Sequence, residues 1–294
     1  MLIKNHFEYF CPKTLKEALE LISRYPENSK VIAGGQSLLI LMKQGLITPR
    51  YLIDIKGIEE LNYINQDQNK GLLIGALTSH RTIETSSLIH QNFRVLAEIE
   101  KRLASTETRN WGTIGGNLCH ADPAGDICPI LVAMGASVKL ARLKGSRTLP
   151  IKDFSTGYFE TAMDHDELLV EIQLHHRSYT GAAYEKFNLT KNDYATVSVA
   201  VAITRNNDAN TCGDVKIILG AVAPTPLRAM RAEEILIGHE IKPILWEQAA
   251  SIAAEEAEPV ADMHASEEFK RNLVKALVKR VGQRAWERSL NNSM

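Results

Sequence analysis

The chain has 294 residues, 45% of them hydrophobic, with 34 basic against 35 acidic side chains and a formal charge of −1. That length leaves room for about two domains and a substantial core, and the composition excludes a disordered chain. The balanced charge gives no electrostatic reason to expect nucleic acid or an anionic membrane as a partner.

At the N-terminus, MLIKNHFEYFCPK has no continuous apolar segment of signal-peptide type. No apolar run along the chain approaches the ~20 residues needed to span a bilayer, so the expectation is a cytoplasmic protein without a membrane span. The first helix is marked by Thr14 and Glu17, spaced as a capping box, followed by Leu15, Ala18, Leu19 and Ile22 and ended at Pro26. KVIA then reads as a short buried strand. SLLILMKQG reads as a helix with Ser37 as N-cap and Gly45 as the stop. YLIDI and GLLIGA are further strands, and FRVLAEIEKRLAS is a helix with Val95, Leu96, Ile99 and Leu103 on its apolar face. PILVAMGASVKLAR and LLVEIQL are apolar enough to be core.

Near residue 177 the texture changes. YATVSVAVAIT and VKIILGAVA alternate as strands of an open antiparallel sheet with one solvated face. Three helical segments follow: RAMRAEEILIG, WEQAASIAAEEAE and ASEEFKRNLVKALVKRVGQRAW. In the last, Leu273, Leu277, Val278 and Val281 form a packing stripe, so its basic residues mark a charged outer face and not a nucleic-acid arm. We expect two domains, 1–177 and 178–294, the first divided into lobes at about 57.

Two glycine pairs stand out, in VIAGGQSLL (31–39) and GTIGGNLCHADPAGD (112–126). Glycine lets backbone amides approach a ligand closely, and successive amides aimed into one concavity bind anions. A helix beginning at such a turn adds partial positive charge. Neither pair has a neighbouring lysine or arginine, so a bound pyrophosphate would be held by amides, Ser37, Thr113 and Asn117. Two loops suit the two phosphates of a dinucleotide, with Asp126 placed to accept hydrogen bonds from sugar hydroxyls. The spacing fits neither the Gly-x-Gly-x-x-Gly fingerprint nor the Gly-x4-Gly-Lys-Ser/Thr phosphate loop. The bland alternative is that each pair is only a tight turn.

Four cysteines (Cys11, Cys119, Cys128 and Cys212) are scattered without a Cys-x-x-Cys pair, against a disulfide framework or a thiolate cluster. Cys119, His120, Asp122 and Asp126 are close in sequence, but match no zinc template. Cys119 and Cys128 read as small buried hydrophobes, and His175 and His176 as solvated. No acid–base pair or activated nucleophile stands out, so no catalytic residue and no metal ligand is nominated.

AGGQSLLILMK followed by TIGGNLCHADPAGD resembles the FAD-binding subunit of the molybdenum hydroxylases, the xanthine dehydrogenase and carbon monoxide dehydrogenase family. The similarity continues through DELLVEIQL, YEKFNLTKNDYATVSVAVAI and LGAVAPTPLRAMRAEEILIG, and so covers nearly the whole chain. The resemblance implies an α+β fold: a two-lobed FAD-binding domain, a small α/β lobe and a larger α+β lobe, then a C-terminal domain with a three-stranded antiparallel sheet and a helix bundle. It implies that FAD lies against Val31, Ile32, Ala33, Gly34, Gly35, Gln36, Ser37 and Leu38. Thr113, Ile114, Gly115, Gly116 and Asn117 would close from the other side. Asp126 matches an acidic residue near the sugar, and Leu169 a hydrophobic residue near the flavin. Lys186, or by a one-residue slip Glu185, matches a basic position near the ring system. Tyr194 matches a residue that covers a flavin face in some members. Leu103 stands where some relatives carry an aromatic residue beside the adenine, and an aliphatic side chain there packs without stacking. Without a cysteine-rich insert, the chain would hold FAD alone.

The implied function is oxidoreductase electron transfer. A molybdenum-cofactor large subunit oxidises substrate, a small subunit carries two iron–sulfur clusters, and electrons leave through FAD to NAD+, a quinone or another acceptor. The implied assembly is a dimer of heterotrimers. The residues leave two other readings open: a self-sufficient FAD-dependent oxidoreductase, or a cofactor-free scaffold or maturation subunit.

Overall fold

In the computed structural model, residues 6–175, 179–190, 192–206 and 211–291 are described. The expected domain boundary at 177 and His176 lie outside them.

The chain begins with a parallel three-stranded sheet in which Tyr51–Asp54 lies between Glu8–Phe10 and Ser29–Ile32. The helix Leu15–Arg24 covers it. Its Thr14 cap accepts from the Glu17 amide at 3.2 Å, and Glu17 reaches back to the Lys13 amide at 2.7 Å, one residue before the cap itself. Ala18, Leu19 and Ile22 bury against Ile53 and Ile55, and Leu168 and Val170 of the next layer complete that cluster.

The second layer is an antiparallel five-stranded sheet in the order Ile64–Asp67, Gly71–Gly75, Leu168–Leu174, Ser137–Arg142, Gly145–Pro150. Every residue of the central strand Leu168–Leu174 is buried. Leu168 and Val170 face the first sheet, while Leu169, Ile172 and Leu174 pack into a core built with short helices. Those helices are His80–Thr85, Ser87–Asn92, Arg94–Glu100, Thr106–Trp111, Ile114–His120 and Ile127–Ala133. Sequence periodicity missed most of them. Each is too short to show several turns of amphipathic repeat, and three are announced only by serine N-caps at Ser79, Ser86 and Ser105. The helix expected over 93–105 stops at Glu100, and a left-handed residue at Ala104 (φ 41°) turns the chain.

The third sheet is antiparallel, in the order Gly181–Phe187, Val197–Asn206, Thr211–Gly220, Leu227–Arg228. The three expected strands are thus joined by a two-residue edge strand. Val197, Val199, Val201, Ile217 and Leu219 pack against the helices Pro243–Glu256 and Glu267–Asn291. The solvated face anticipated from the alternation is not there. Ala182, Ala200, Ala202 and Ile218 on the opposite face join the core of the preceding layer. Close approach explains why these residues are small: a Cβ on Gly220 would sit 3.0 Å from Pro129 of the Ile127–Ala133 helix. In the sequence, alternation of large and small apolar residues looks like alternation of dry and wet.

Candidate functional site

The first glycine pair lies between the strand Ser29–Ile32 and the seven-residue helix Leu38–Gln44. Gly35 takes φ +72°, which a side chain would oppose. Ser37 occupies the cap position but makes no side-chain cap bond, and Gly45 (φ 77°) ends the helix as expected. Among the described residues, no acceptor takes the amides of Gly34, Gly35, Gln36 or Ser37. Gln36 folds its side chain back, donating from Nε2 to the Gly34 carbonyl at 3.1 Å.

The second pair differs from the expected open loop. Thr113 N-caps the helix Ile114–His120, and both glycines are in its first turn. Their amides are engaged: Gly115 donates to the Ala76 carbonyl at 2.9 Å and Gly116 to Thr113 Oγ1 at 3.2 Å. Gly115 is required by packing, since a Cβ would fall 2.6 Å from Ala76 Cβ. Gly116 is exposed, and a Cβ there would lie 2.9 Å from Thr113 Oγ1 and 3.8 Å from the Cβ of Ala33. The second pair therefore contributes close approach and the half-buried Asn117, while the free amides belong to the first.

The two pairs meet. A Cβ on Gly34 would lie 2.3 Å from the Trp111 carbonyl oxygen and 2.7 Å from Gly112 Cα. Gly112 in turn is bound by the His80 amide at 3.0 Å, and His80 is fixed from below by Glu100 (Nδ1···Oε2, 2.9 Å). Burial pushes the Glu100 carboxyl up, and His80 opposes that shift.

Asp126 begins the helix Ile127–Ala133 and is 5% exposed. Its Oδ2 accepts from Lys186 Nζ at 2.6 Å and its Oδ1 from the Tyr184 hydroxyl at 2.7 Å. Both carboxylate oxygens are engaged before any sugar is considered. Burial pushes the Asp126 carboxyl up, and the Lys186 ammonium works against it. Lys186 also donates to the Asp193 carbonyl at 2.7 Å. Of the two registers open for the basic position, strand geometry separates them. Lys186 faces Asp126, whereas Glu185 on the opposite face is held by Arg280 and Arg284 at 2.5 and 2.8 Å.

Tyr194 is exposed and its hydroxyl lies beside Ser37, so the connection between the strands Gly181–Phe187 and Val197–Asn206 reaches the first glycine turn. Leu169 and Leu103 are buried in the core of the second layer. Sequence reasoning missed Tyr184, although it stands two residues before Lys186 and so on the same face of the strand. It also missed Trp111 and Gly112, the floor on which Gly34 rests.

The CHADPAGD side chains go to separate partners. The Cys119 thiol contacts Met163 Sδ at 3.6 Å, the His120 ring lies 5.2 Å from that of Phe159, and Asp122 accepts from the Ala124 amide at 2.9 Å. Among the described residues, no three His, Cys, Asp or Glu side chains are grouped to hold a metal ion. Cys128 is half-buried and Cys119 exposed, so Cys119 is not the buried hydrophobe expected. His175 is exposed and shares a 2.9 Å hydrogen bond with Ser137. No helix among the described residues is long and apolar enough to cross a membrane.

Four amides of the first turn have no acceptor among the described residues, and Ala33 lies beside Gly116, a combination suited to a ligand with an anionic linker. Comparison with known proteins supplies its identity. A family described as the FAD binding domain in molybdopterin dehydrogenase matches residues 5–175, and the CO dehydrogenase flavoprotein C-terminal domain matches 182–285. The chain is 34% identical to the carbon monoxide dehydrogenase medium chain of Hydrogenophaga pseudoflava, over 98% of this chain and 99% of that one. It is 33% identical to the glyceraldehyde dehydrogenase medium chain of Sulfolobus acidocaldarius, over 92% and 95%. The solved quinoline 2-oxidoreductase from Pseudomonas putida 86 superposes with a TM-score of 0.93 at 30% identity, over 99% of this chain and 100% of that one. The chain therefore belongs to the FAD-binding subunits of the molybdenum hydroxylase oxidoreductases, the family of carbon monoxide and xanthine dehydrogenases.

Proposed function

We propose that this chain is the electron-transfer subunit of a multi-subunit molybdenum hydroxylase, taking electrons from iron–sulfur clusters of a partner and passing them to NAD+, a quinone or another acceptor. The carrying observation is the meeting of Gly34 with Trp111 and Gly112, which brings the first turn, with four amides that have no acceptor among the described residues, against the segment leading to Gly116. Bound FAD supplies the redox chemistry; the chain binds it and sets its surroundings. In this reading residues 31–38 and 113–117 hold the dinucleotide linker, Lys186 and Tyr194 face the flavin, and Asp126, Leu169 and Leu103 line or support the site. The work is divided between 1–177, in lobes meeting at about 57, and 178–294.

The substrate site belongs to another polypeptide. The named relatives are a carbon monoxide dehydrogenase, a glyceraldehyde dehydrogenase and a quinoline oxidoreductase, so similar flavin-binding chains accompany unlike substrates. The partners are a molybdenum-cofactor large subunit and a two-cluster iron–sulfur small subunit, in a cytoplasmic dimer of heterotrimers. Affinity purification of the tagged chain from its native cells tests this. Molybdenum and iron should co-purify with FAD in fixed ratio, and the chain stripped of its partners should oxidise no organic substrate. Undiminished turnover by the stripped chain would instead establish a self-sufficient oxidoreductase.

A further inference from the structure

We infer that His80 and Glu100 form a positioning pair for the cradle: the buried imidazole, its orientation set by the carboxyl, fixes how the two glycine segments meet. The inference rests on the reading in which those segments hold bound FAD. Residues 76–80 and 112–115 run side by side. The Gly115 amide donates to the Ala76 carbonyl at 2.9 Å, the Ile114 amide to the Thr78 carbonyl at 3.1 Å and the His80 amide to the Gly112 carbonyl at 3.0 Å. His80 is the last link of that series. Its ring edge and Gln36 share the space over Gly112, where a Cβ would fall 3.1 Å from His80 Cδ2 and 3.6 Å from Gln36 Cγ. Gln36 in turn donates to the Gly34 carbonyl at 3.1 Å. The imidazole therefore bears on the second segment directly, at Gly112, and lies beside the residue that folds back onto the first.

The carboxyl that holds the ring is a costly group in its place. Glu100 has no exposure, and its Oε1 has no hydrogen-bond partner among the described residues. Only Oε2 is used, on His80 Nδ1 at 2.9 Å. Asp126 and Glu84, of its own sign, also act on it, although Lys186 answers the first and Arg81 and Arg109 the second. The rest of its helix buries Val95, Leu96, Ala97 and Ile99. Replacing an enclosed polar pair by apolar side chains of similar size is often neutral or stabilising, whereas removing one partner destabilises. Stability alone thus gives no reason for an acid at this position. Orientation of the ring over Gly112 does.

The test reads FAD affinity, by fluorescence titration, and the Tm of the cofactor-free full-length chain. An amide can donate to the ring nitrogen or accept from it, so Glu100→Gln should lose less than about twofold in affinity. Glu100→Leu frees the ring, and should weaken FAD binding roughly tenfold, the worth of one buried hydrogen bond, with a lower Tm. In the double variant His80→Leu/Glu100→Leu the Tm should return to that of the wild type or above it, while the affinity stays down. A pair with a purely structural role would regain affinity together with Tm, and that result overturns the inference. So does an equal loss of affinity in Glu100→Gln and Glu100→Leu, which would place the effect in the charge of the carboxylate. Where the apolar variants do not fold, nitrogen NMR of the imidazoles in the unmodified chain takes their place. The His80 ring signals, identified by their loss in His80→Gln, should shift when FAD is added; signals that FAD leaves unmoved overturn the inference. Failure of the unmodified chain to bind FAD would defeat the underlying reading, whereas normal binding with affinity that follows Tm across the variants defeats this inference alone.

Discussion

Gly34 and Gly116 separate two uses of a missing side chain. At Gly34 the obstacle is backbone: a methyl group would meet the Trp111 carbonyl at 2.3 Å, and neither partner is a flexible side-chain end. Gly34→Ala should therefore drive the two glycine segments apart, with about 1–3 kcal/mol of lost stability seen as a lower Tm even without cofactor. At Gly116 a Cβ would meet only side-chain atoms, Thr113 Oγ1 at 2.9 Å and Ala33 Cβ at 3.8 Å, on an exposed surface. Gly116→Val should lower the apo Tm less than Gly34→Ala does, through crowding of the Thr113 cap, and abolish retention of FAD, measured as flavin absorbance after gel filtration. Equal loss of stability in both variants would contradict the assignment of Gly116 to the ligand side. The glycine pairs themselves were legible in the sequence. The engagement of the second pair's amides was not, because Ala76 and Thr113 enter only through tertiary contact and a local cap.

Single elements show the same division between local and distant causes. The helix Leu15–Arg24 was fully legible, since its cap, acidic first turn and apolar spacing all lie within a dozen residues. The long C-terminal helix Glu267–Asn291 was legible through its packing stripe, but its anchor was not: Lys270, buried in the first turns, donates to Asp262 Oδ2 at 2.6 Å and to the Val260 carbonyl at 2.8 Å. The hydrogen bond from Lys270 holds the Asp262 carboxyl down, from 3.8 to about 2. A carboxyl lowered on folding stabilises the native state above its unfolded value, and that contribution disappears as pH falls through the folded one. The stability difference between wild type and Asp262→Asn should thus be present at neutral pH and shrink between about 4 and about 2. Denaturant titrations across that interval check it, and a difference that grows toward acid would refute the assignment. Because Asp262 is 45% exposed, the effect is expected to be small.

Across the whole molecule, the decisive feature is a sheet that serves two cores. Its valine face belongs to the helices Pro243–Glu256 and Glu267–Asn291, and its alanine face to the core that underlies the glycine segments. Ala200→Asp, at a position with no exposure, would place an unpaired charge in that shared layer. It should cost several kcal/mol and lower unfolding of the chain as one event. Differential scanning calorimetry of the full chain should accordingly show a single transition. Two resolved transitions, with only the second moved by Ala200→Asp, would show that the layers are energetically separate.

The sequence alone determined the class of the fold, the principal strands and helices, and the two glycine stretches, because these depend on periodicity, caps and glycine spacing read over short distances. Tertiary structure decided what covers the alanine face, which register turns Lys186 and not Glu185 toward Asp126, and which glycine amides stay free. The first two of those outcomes depend on partners far away in the chain, such as Lys186 with Asp126 (|i−j| = 60), and the third on Ala76 as well as on the local Thr113 cap. A local pattern specifies that a surface is apolar, charged or open. It does not specify the element that meets it.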